Sequence, residues 1–256
     1  MNVSTWDSLV EGKAGIYGET ALTVGVFDGL HLGHQSLIAK IVQSGLIPTV
    51  ITFRVNPLRV LKPSDYPGDI LSIRQKIALL KELGVQNIIV IDFSLDFSTL
   101  SGREFLEIVR KNLELRYMAL GINFKCGYNK DTNAEKVKFI LTQHNIKVDI
   151  VEPVYWEDSI ISSTRIRKAI LEGNFLLASQ MLGREFVLEV PDQVQYTLHE
   201  ACLEKNQLHQ VLPEKGNFQV TLIDGSSTHD SEMEIFHDFI RWTQADNFKA
   251  MKIVFI

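Results

Sequence analysis

The sequence predicts an α/β fold built on a doubly wound parallel sheet, followed by a smaller β-rich domain. Three observations carry this. Short, almost wholly apolar runs recur through the first 150 residues, stretches with helical spacing separate them, and after about Arg184 strand-like segments follow one another without alternating helices. The expected division is residues 1–184 and 185–256.

Taken in order, the apolar runs are Leu22 to Phe27, Ile47 to Phe53, Asn87 to Ile91, Tyr117 to Leu120 and Lys147 to Val151. Continuous apolarity, rather than alternation, is what a parallel strand covered on both faces requires. Between them, Gly33 to Gln43, Ile73 to Leu83, Ser101 to Leu113 and Thr132 to His144 have the spacing of helices. Two of these carry start signals in which a hydroxyl and a glutamate three residues on satisfy each other's exposed donors: Ser101 with Glu104, and Thr132 with Glu135. Strands alternating with helices imply right-handed crossovers, and ligands then bind beyond the carboxyl ends of the strands. In the second domain, Phe186 to Val190, Phe218 to Ile223 and Lys252 to Ile256 read as strands and Ser231 to Trp242 as a helix.

Composition narrows the function. A chain of 256 residues with 45% hydrophobic content can bury a substantial core. A net charge of −5 without a Lys/Arg block leaves no electrostatic footprint for nucleic acid, so small ligands are the expected partners. Cys126 and Cys202 are too few for a disulfide framework and form no CxxC pair, which excludes a cysteine zinc site and fits a reducing cytoplasm. No uncharged apolar run approaches membrane-spanning length and no signal peptide is expected. No metal-ligand set is expected either.

The chemistry-bearing segment is VGVFDGLHLGH, from Val24 to His34. A strand, an Asp28-Gly29 turn and a helix start follow one another, so His31 and His34 stand where free backbone N–H groups and the helix dipole favour an anion. Gly29 and Gly33 let backbone approach a ligand without a Cβ in the way. Nucleotidyl transfer asks a protein mainly for positioning and charge stabilisation, and two imidazoles three residues apart supply donors for an α-phosphate. With 7 His and 16 Gly in the chain, HxGH arises by random placement only about 0.01 times. A helix-capping role is the alternative for these histidines.

A second helix start, Ile161-Ser162-Ser163-Thr164-Arg165-Ile166-Arg167, offers hydroxyls and cations suited to a triphosphate tail. Ser162 or Ser163 would cap the helix. Arg165 and Arg167 lie about 200° apart around it, so only one can face the ligand. Alone, this segment reads as an ordinary capped surface helix; beside the histidine turn it becomes the second end of an ATP site.

In order, VGVFDGLHLGHQSLI, TFRVNP, ILSIRQKIALLKELGVQNIIVIDF, FSTLSGREFLEIV, GINFKCG, ISSTRIRKAI and MLGREF resemble the bacterial bifunctional riboflavin kinase/FAD synthetase family, in its FMN adenylyltransferase half. The resemblance runs from about Leu22 to Arg184 and implies a Rossmann-like nucleotidyltransferase sheet followed by a β-barrel-like domain. It implies transfer of AMP from ATP with Mg2+ to FMN, giving FAD and pyrophosphate. Gly25, Phe27, Asp28, Gly33, His31 and His34 would contact ATP, with Ser163, Thr164 and Arg167 holding its phosphates. Asn123 would join His31, His34 and Arg167 in catalysis, and Phe53, Asn56 and Phe124 would meet the flavin.

Three departures qualify that picture. Asn56 stands where the family usually has histidine; Cys126 replaces an aromatic, with Tyr128-Asn129-Lys130-Asp131 in place of a more basic, glycine-rich loop. Cys126 is expected to pack rather than react. Nothing between Phe186 and Val211 resembles the kinase half's GFPTAN segment, and although LPEKGNFQVTLIDG and NFKAMKIVFI resemble strands of the kinase barrel, the chain stops at Ile256 before the family's terminal helix. The kinase is expected to be lost, with Glu234 an exposed acidic helix position rather than a catalytic group. The histidine turn alone would equally serve an adenylyltransferase for pantetheine phosphate or a nicotinamide nucleotide, or a non-catalytic flavin sensor.

Overall fold

The computed structural model describes residues 1–244 and 248–256. The chain forms two compact units, one of residues 1–66 and 73–160, the other of residues 67–72 and 161–256. Among the described residues no helix is long and apolar enough to cross a membrane.

The first unit holds a six-stranded sheet of β1 (Asn2–Thr5), β2 (Glu19–Val24), β3 (Ile47–Phe53), β4 (Asn87–Ile91), β5 (Glu114–Gly121) and β6 (Lys147–Val151). All pairings are parallel, and the order is β1-β4-β3-β2-β5-β6. The chain leaves β2 toward β3 on one side and returns to β5 on the other, so the order reverses at β2. In such sheets the crevice beyond the strand ends at the reversal is where ligands bind.

Interleaved are α1 (Trp6–Val10), α2 (Leu32–Val42), α3 (Pro57–Leu61), α4 (Ile73–Glu82), α5 (Gly102–Asn112) and α6 (Ala134–Thr142). Trp6 and Leu9 of α1, Phe105 and Val109 of α5, and Val137 and Leu141 of α6 share one core with Leu22, Val24, Ile51, Ile89 and Met118 of the strands. On the opposite face α2 lies across β2, β3 and β5, burying Ile38 and Ile41. The sheet is thus covered on both sides, as the continuous apolar runs require.

Strands β3, β4 and β6 coincide with the sequence expectation. Three local features differ. β2 ends at Val24 rather than Phe27, because Phe27 adopts φ +51° and turns the chain out of the strand. β1 has no apolar run to announce it; it is an edge strand paired on one side only, to β4. Ser101 and Glu104 form the expected reciprocal cap of α5, but Thr132 does not cap α6. Thr132 is buried in a two-stranded ribbon with Lys125–Cys126, and the Asn133 Oδ1 accepts the Lys136 N–H instead, 3.0 Å away.

The second unit begins with α7 (Ser163–Leu171) and α8 (Phe175–Leu182), which pack on each other. Strands β7 (Val187–Glu189), β8 (Gln195–Tyr196), β9 (Glu200–Glu204), β10 (Gly216–Asp224), β11 (Ser227–Ile235), β12 (Phe239–Thr243) and β13 (Lys252–Phe255) follow. They make an antiparallel, half-barrel sheet in the order β7-β13-β10-β11-β12-β9-β8. The expected helix from Ser231 to Trp242 is overturned: this stretch belongs to β11 and β12, which pair as neighbours. Ser231, Met233 and Ile235 are buried in alternation with Glu232 and Glu234, a period of two that outweighs the helical spacing. Glu234 therefore sits on a strand, not on a helix, and pairs with Arg241.

The strap of residues 67–72 is threaded into this unit by the Asp69 N–H donating to His209 O (2.8 Å) and the Val211 N–H to Asp69 O (2.8 Å). Gly68 has φ +123°, and a Cβ there would lie 2.8 Å from the Val211 nitrogen. Buried Gln210 fastens the strap further. Its Nε2 donates to Ile70 O (3.1 Å) and Val187 O (2.9 Å), while its Oε1 accepts the Glu189 N–H (2.8 Å).

Candidate active site

The turn between β2 and α2 is held in an uncommon backbone shape. Phe27 (φ +51°) and Leu30 (φ +42°), both fully buried, flank Asp28 and Gly29 (φ +85°). A left-handed non-glycine residue costs on the order of 1–3 kcal/mol, so the surroundings must impose it. They do so through Gly25, whose N–H donates to Ile51 O (3.1 Å), and through Gln35, whose Nε2 donates to Leu30 O (2.9 Å). The Val26 carbonyl accepts from Thr52 Oγ1 (3.1 Å) and from Lys76 Nζ (2.9 Å).

His31 is the N-cap of α2. Its Nδ1 accepts the His34 N–H at 3.3 Å, alongside the stronger bond from that N–H to the His31 carbonyl at 2.7 Å. An acceptor Nδ1 places the proton of a neutral ring on Nε2. The His34 ring stacks on that of His31 with centroids 3.7 Å apart and planes 19° apart, and Phe27 meets His34 edge-on at 5.2 Å. Burial, then His31, then Lys76 hold the His34 pKa well below the ordinary histidine value, so it is neutral near pH 7. Among the described residues its buried Nδ1 has no hydrogen-bond partner, an orphaned polar atom at the start of α2.

The glycines of the motif acquire a specific reason. A Cβ on Gly33 would lie 3.2 Å from Nδ1 and Cε1 of His31, and one on Gly25 would lie 3.1 Å from the Phe27 ring. Both rings fold back over a glycine, and at Gly33 the space expected for a ligand's approach is taken by the His31 ring.

The remaining expected residues fall into four groups. Asp28 is buried within the turn. Phe53 ends β3, its ring 5.9 Å from Phe93 and 6.2 Å from Phe97, both edge-on. Asn56 is buried as the N-cap of α3, its Oδ1 accepting the Leu58 N–H at 3.1 Å. Asn123 is exposed in the turn that follows β5, closed by the Phe124 N–H donating to Gly121 O (2.9 Å), and Phe124 is half-buried against the core. β5 is the neighbour of β2, so this turn leaves the sheet beside the histidine turn.

Ser163, Thr164 and Arg167 belong to the second unit. There Ser162, not Ser163, caps α7, accepting the Arg165 N–H at 3.2 Å. Arg167 is buried and its Nε donates to Gly68 O at 2.9 Å, while Arg165 is more exposed. The loop after β5 is sealed by close backbone approach: Asp131 Oδ1 accepts the Gly102 N–H (3.0 Å), and the Tyr128 N–H donates to Leu100 O (2.7 Å). Within it the Cys126 thiol is pushed up to about 12 by burial and then by Asp131, which leaves it protonated and unreactive. Cys126 and Cys202 form no disulfide.

Lys76 was not singled out in the sequence. It is 4% exposed, and its Nζ donates to Val26 O and, at 3.0 Å, to Phe53 O, joining the ends of β2 and β3 under the turn. Its signal was its place four residues before buried Leu80 on α4.

A sequence profile of the family described as FAD synthetase matches residues 15–165. The bifunctional riboflavin kinase/FMN adenylyltransferase of Buchnera aphidicola subsp. Acyrthosiphon pisum is 34% identical over 176 residues, 67% of this chain and 56% of that protein. A FAD synthetase of Listeria monocytogenes is 30% identical over 171 residues, 65% of this chain and 70% of that one. The matched part is little over half the length of the two Buchnera relatives. Among solved structures, a macrolide-efflux protein from Streptococcus pneumoniae aligns with a TM-score of 0.79 at 25% identity, over 94% of this chain and 85% of that one.

Proposed function

Given that the chain belongs to the FAD synthetase family, we propose that it transfers AMP from MgATP to FMN, giving FAD and pyrophosphate, and that it lacks riboflavin kinase activity. The observation that carries the first part is the stacked His31–His34 pair at the start of α2, with a neutral His34 and its unpartnered Nδ1 at the reversal point of the sheet.

In this reading an FMN phosphate oxygen attacks the α-phosphorus of ATP in line. A new P–O bond forms, the bond from the α-phosphorus to the bridging oxygen breaks, and pyrophosphate leaves with that electron pair. The attacking phosphate is already anionic, so no base is needed; the reaction asks for donors where charge moves. His31 Nε2–H and the His34 ring supply them, with the α2 amide groups behind them. Asn123, on the turn beyond neighbouring β5, joins them at the transferring phosphate. Gly25, Phe27, Asp28 and Gly33 shape the nucleotide side, and Phe53, Asn56 and Phe124 the flavin side. To Ser163, Thr164 and Arg167 we assign the pyrophosphate end, with residues 1–184 acting as the transferase and 185–256 as a degenerate kinase domain.

Among the described residues no group of three or more His, Cys, Asp or Glu side chains could cage a metal ion. Magnesium would come with ATP as part of the substrate, keeping several waters and needing few protein ligands. The kinase claim is supported by the missing GFPTAN segment and by Glu234, whose carboxylate is tied to Arg241.

Purified protein with MgATP should convert FMN, but not riboflavin, pantetheine phosphate or nicotinamide mononucleotide, to an adenylylated product. FAD from riboflavin overturns the lost kinase. Product from another acceptor, or from none, overturns the transferase assignment.

A further inference from the structure

The ends of two parallel strands present carbonyl oxygens, which repel phosphate. At the floor of the histidine turn those carbonyls are Val26 O and Phe53 O, and the buried ammonium of Lys76 caps both, at 2.9 and 3.0 Å. With the Thr52 hydroxyl also donating to Val26 O, both lone pairs of that oxygen are taken. A surface that would repel an anion is thereby given a positive charge. Burying an ammonium is costly unless hydrogen bonds compensate it, and a tie made only for stability needs no charge.

We propose that Lys76 is a positioning residue for adenylyl transfer, its ammonium holding the turn from Val26 to His34 in shape and giving the histidine pair a cationic floor. This rests on the transferase reading above. The link to the histidines is electrostatic: the groups acting on His34 are His31 on its own turn and Lys76 from α4, both disfavouring a protonated ring after burial itself. Asp28 is the buried carboxylate of the same turn. Lys76 adds to burial and to His31 in keeping His34 neutral, so that the ring keeps one nitrogen able to accept and one able to donate, while the ammonium offsets the Asp28 carboxylate that would otherwise repel the phosphates.

The test compares wild type with Lys76→Met, Lys76→Gln and Lys76→Arg. Each is measured by NMR titration of the His34 ring without nucleotide, by the pH profile of FAD synthesis, and by thermal unfolding. Removing the charge should raise the pH at which His34 titrates and move the acid limb of kcat/KM upward with it. FAD synthesis should fall about 100-fold, mainly in kcat, as expected when reacting groups are misplaced by about an ångström. Lys76→Arg should keep the acid limb of wild type. If Met proves too disruptive to fold, Gln, which retains one donor without charge, decides the same point.

A folded neutral variant whose His34 titration and kcat match wild type overturns the proposal. So does Lys76→Arg behaving as the neutral variants do in the titration. Failure of wild type to make FAD sinks the transferase reading instead, and the His34 titration still decides whether Lys76 governs the histidine pair.

Discussion

The His31 and His34 rings stack face to face, 3.7 Å between centroids, and burial, then His31, then Lys76 hold the His34 pKa well below the ordinary histidine value. This has a consequence for stability. A histidine whose folded pKa is depressed binds its proton first in the unfolded chain, so its contribution is fully present above about pH 6.5 and is lost as pH falls from there toward the folded value. His34→Gln should flatten that decline, by at most about 1.4 kcal/mol per pH unit for one group. Urea unfolding of wild type and variant between pH 7.5 and 5 measures it; parallel curves would show that His34 carries no such burden.

Gly33 makes a separate prediction, because two effects oppose each other there. Alanine in place of glycine near a helix start gains up to about 1 kcal/mol of helix propensity. Its Cβ, however, would stand 3.2 Å from the His31 ring, which must swing by a few tenths of an ångström. Gly33→Ala should therefore unfold within about 1 kcal/mol of wild type yet make FAD about tenfold more slowly. Unfolding midpoints together with kcat read the two effects separately, and an unaltered kcat would remove the His31 ring from the argument.

Legibility followed the range of the interactions. Ile47–Phe53 and Asn87–Ile91 were readable as strands because burial on both faces leaves a continuous apolar run, and the histidine turn was readable because its parts are adjacent in the chain. Asn2–Thr5 was not, since an edge strand can be polar. Met233 and Ile235 sit at helix-compatible distances from Phe236, Phe239 and Ile240, and only sheet pairing selects the period of two. Lys76 lies among Arg74, Gln75 and Lys81, and nothing local separates a buried ammonium from a solvated one; its partners are 23 and 50 residues away. Gln210 was hidden for the same reason, with a partner 140 residues off.

The loop holding Cys126 can be tested chemically. Burial and Asp131 push its thiol up to about 12, so almost no thiolate exists at pH 8. Iodoacetamide at that pH should leave Cys126 unmodified in the folded protein and label it in urea, as peptide mass mapping would show. Gly127→Ala should reverse this protection, since its Cβ would fall 2.2 Å from the Gly102 nitrogen and from Asp131 Oδ1 at φ +81°. A loss of about 2 kcal/mol or more is expected. Rapid labelling of the native wild type would contradict the buried thiol.

Gln210 is the last case, and it joins stability to the proposed pyrophosphate end of the site within one unit. Its side chain satisfies the carbonyls of Ile70 and Val187 and the N–H of Glu189, and the strap it fastens carries the Gly68 carbonyl that accepts from Arg167 Nε. Gln210→Leu keeps the bulk but removes three hydrogen bonds, one buried and two part-buried, and at about 0.5–1.5 kcal/mol each a loss of about 2–3 kcal/mol is expected. The loosened strap weakens the Gly68 carbonyl's hold on Arg167 Nε, so the KM for ATP should rise severalfold while the KM for FMN changes little. Hydrogen exchange at the Glu189 amide gives an independent measure, because that N–H loses its acceptor directly. If exchange there accelerates and the KM for ATP does not move, the strap supports the fold alone and Arg167 is held by other contacts.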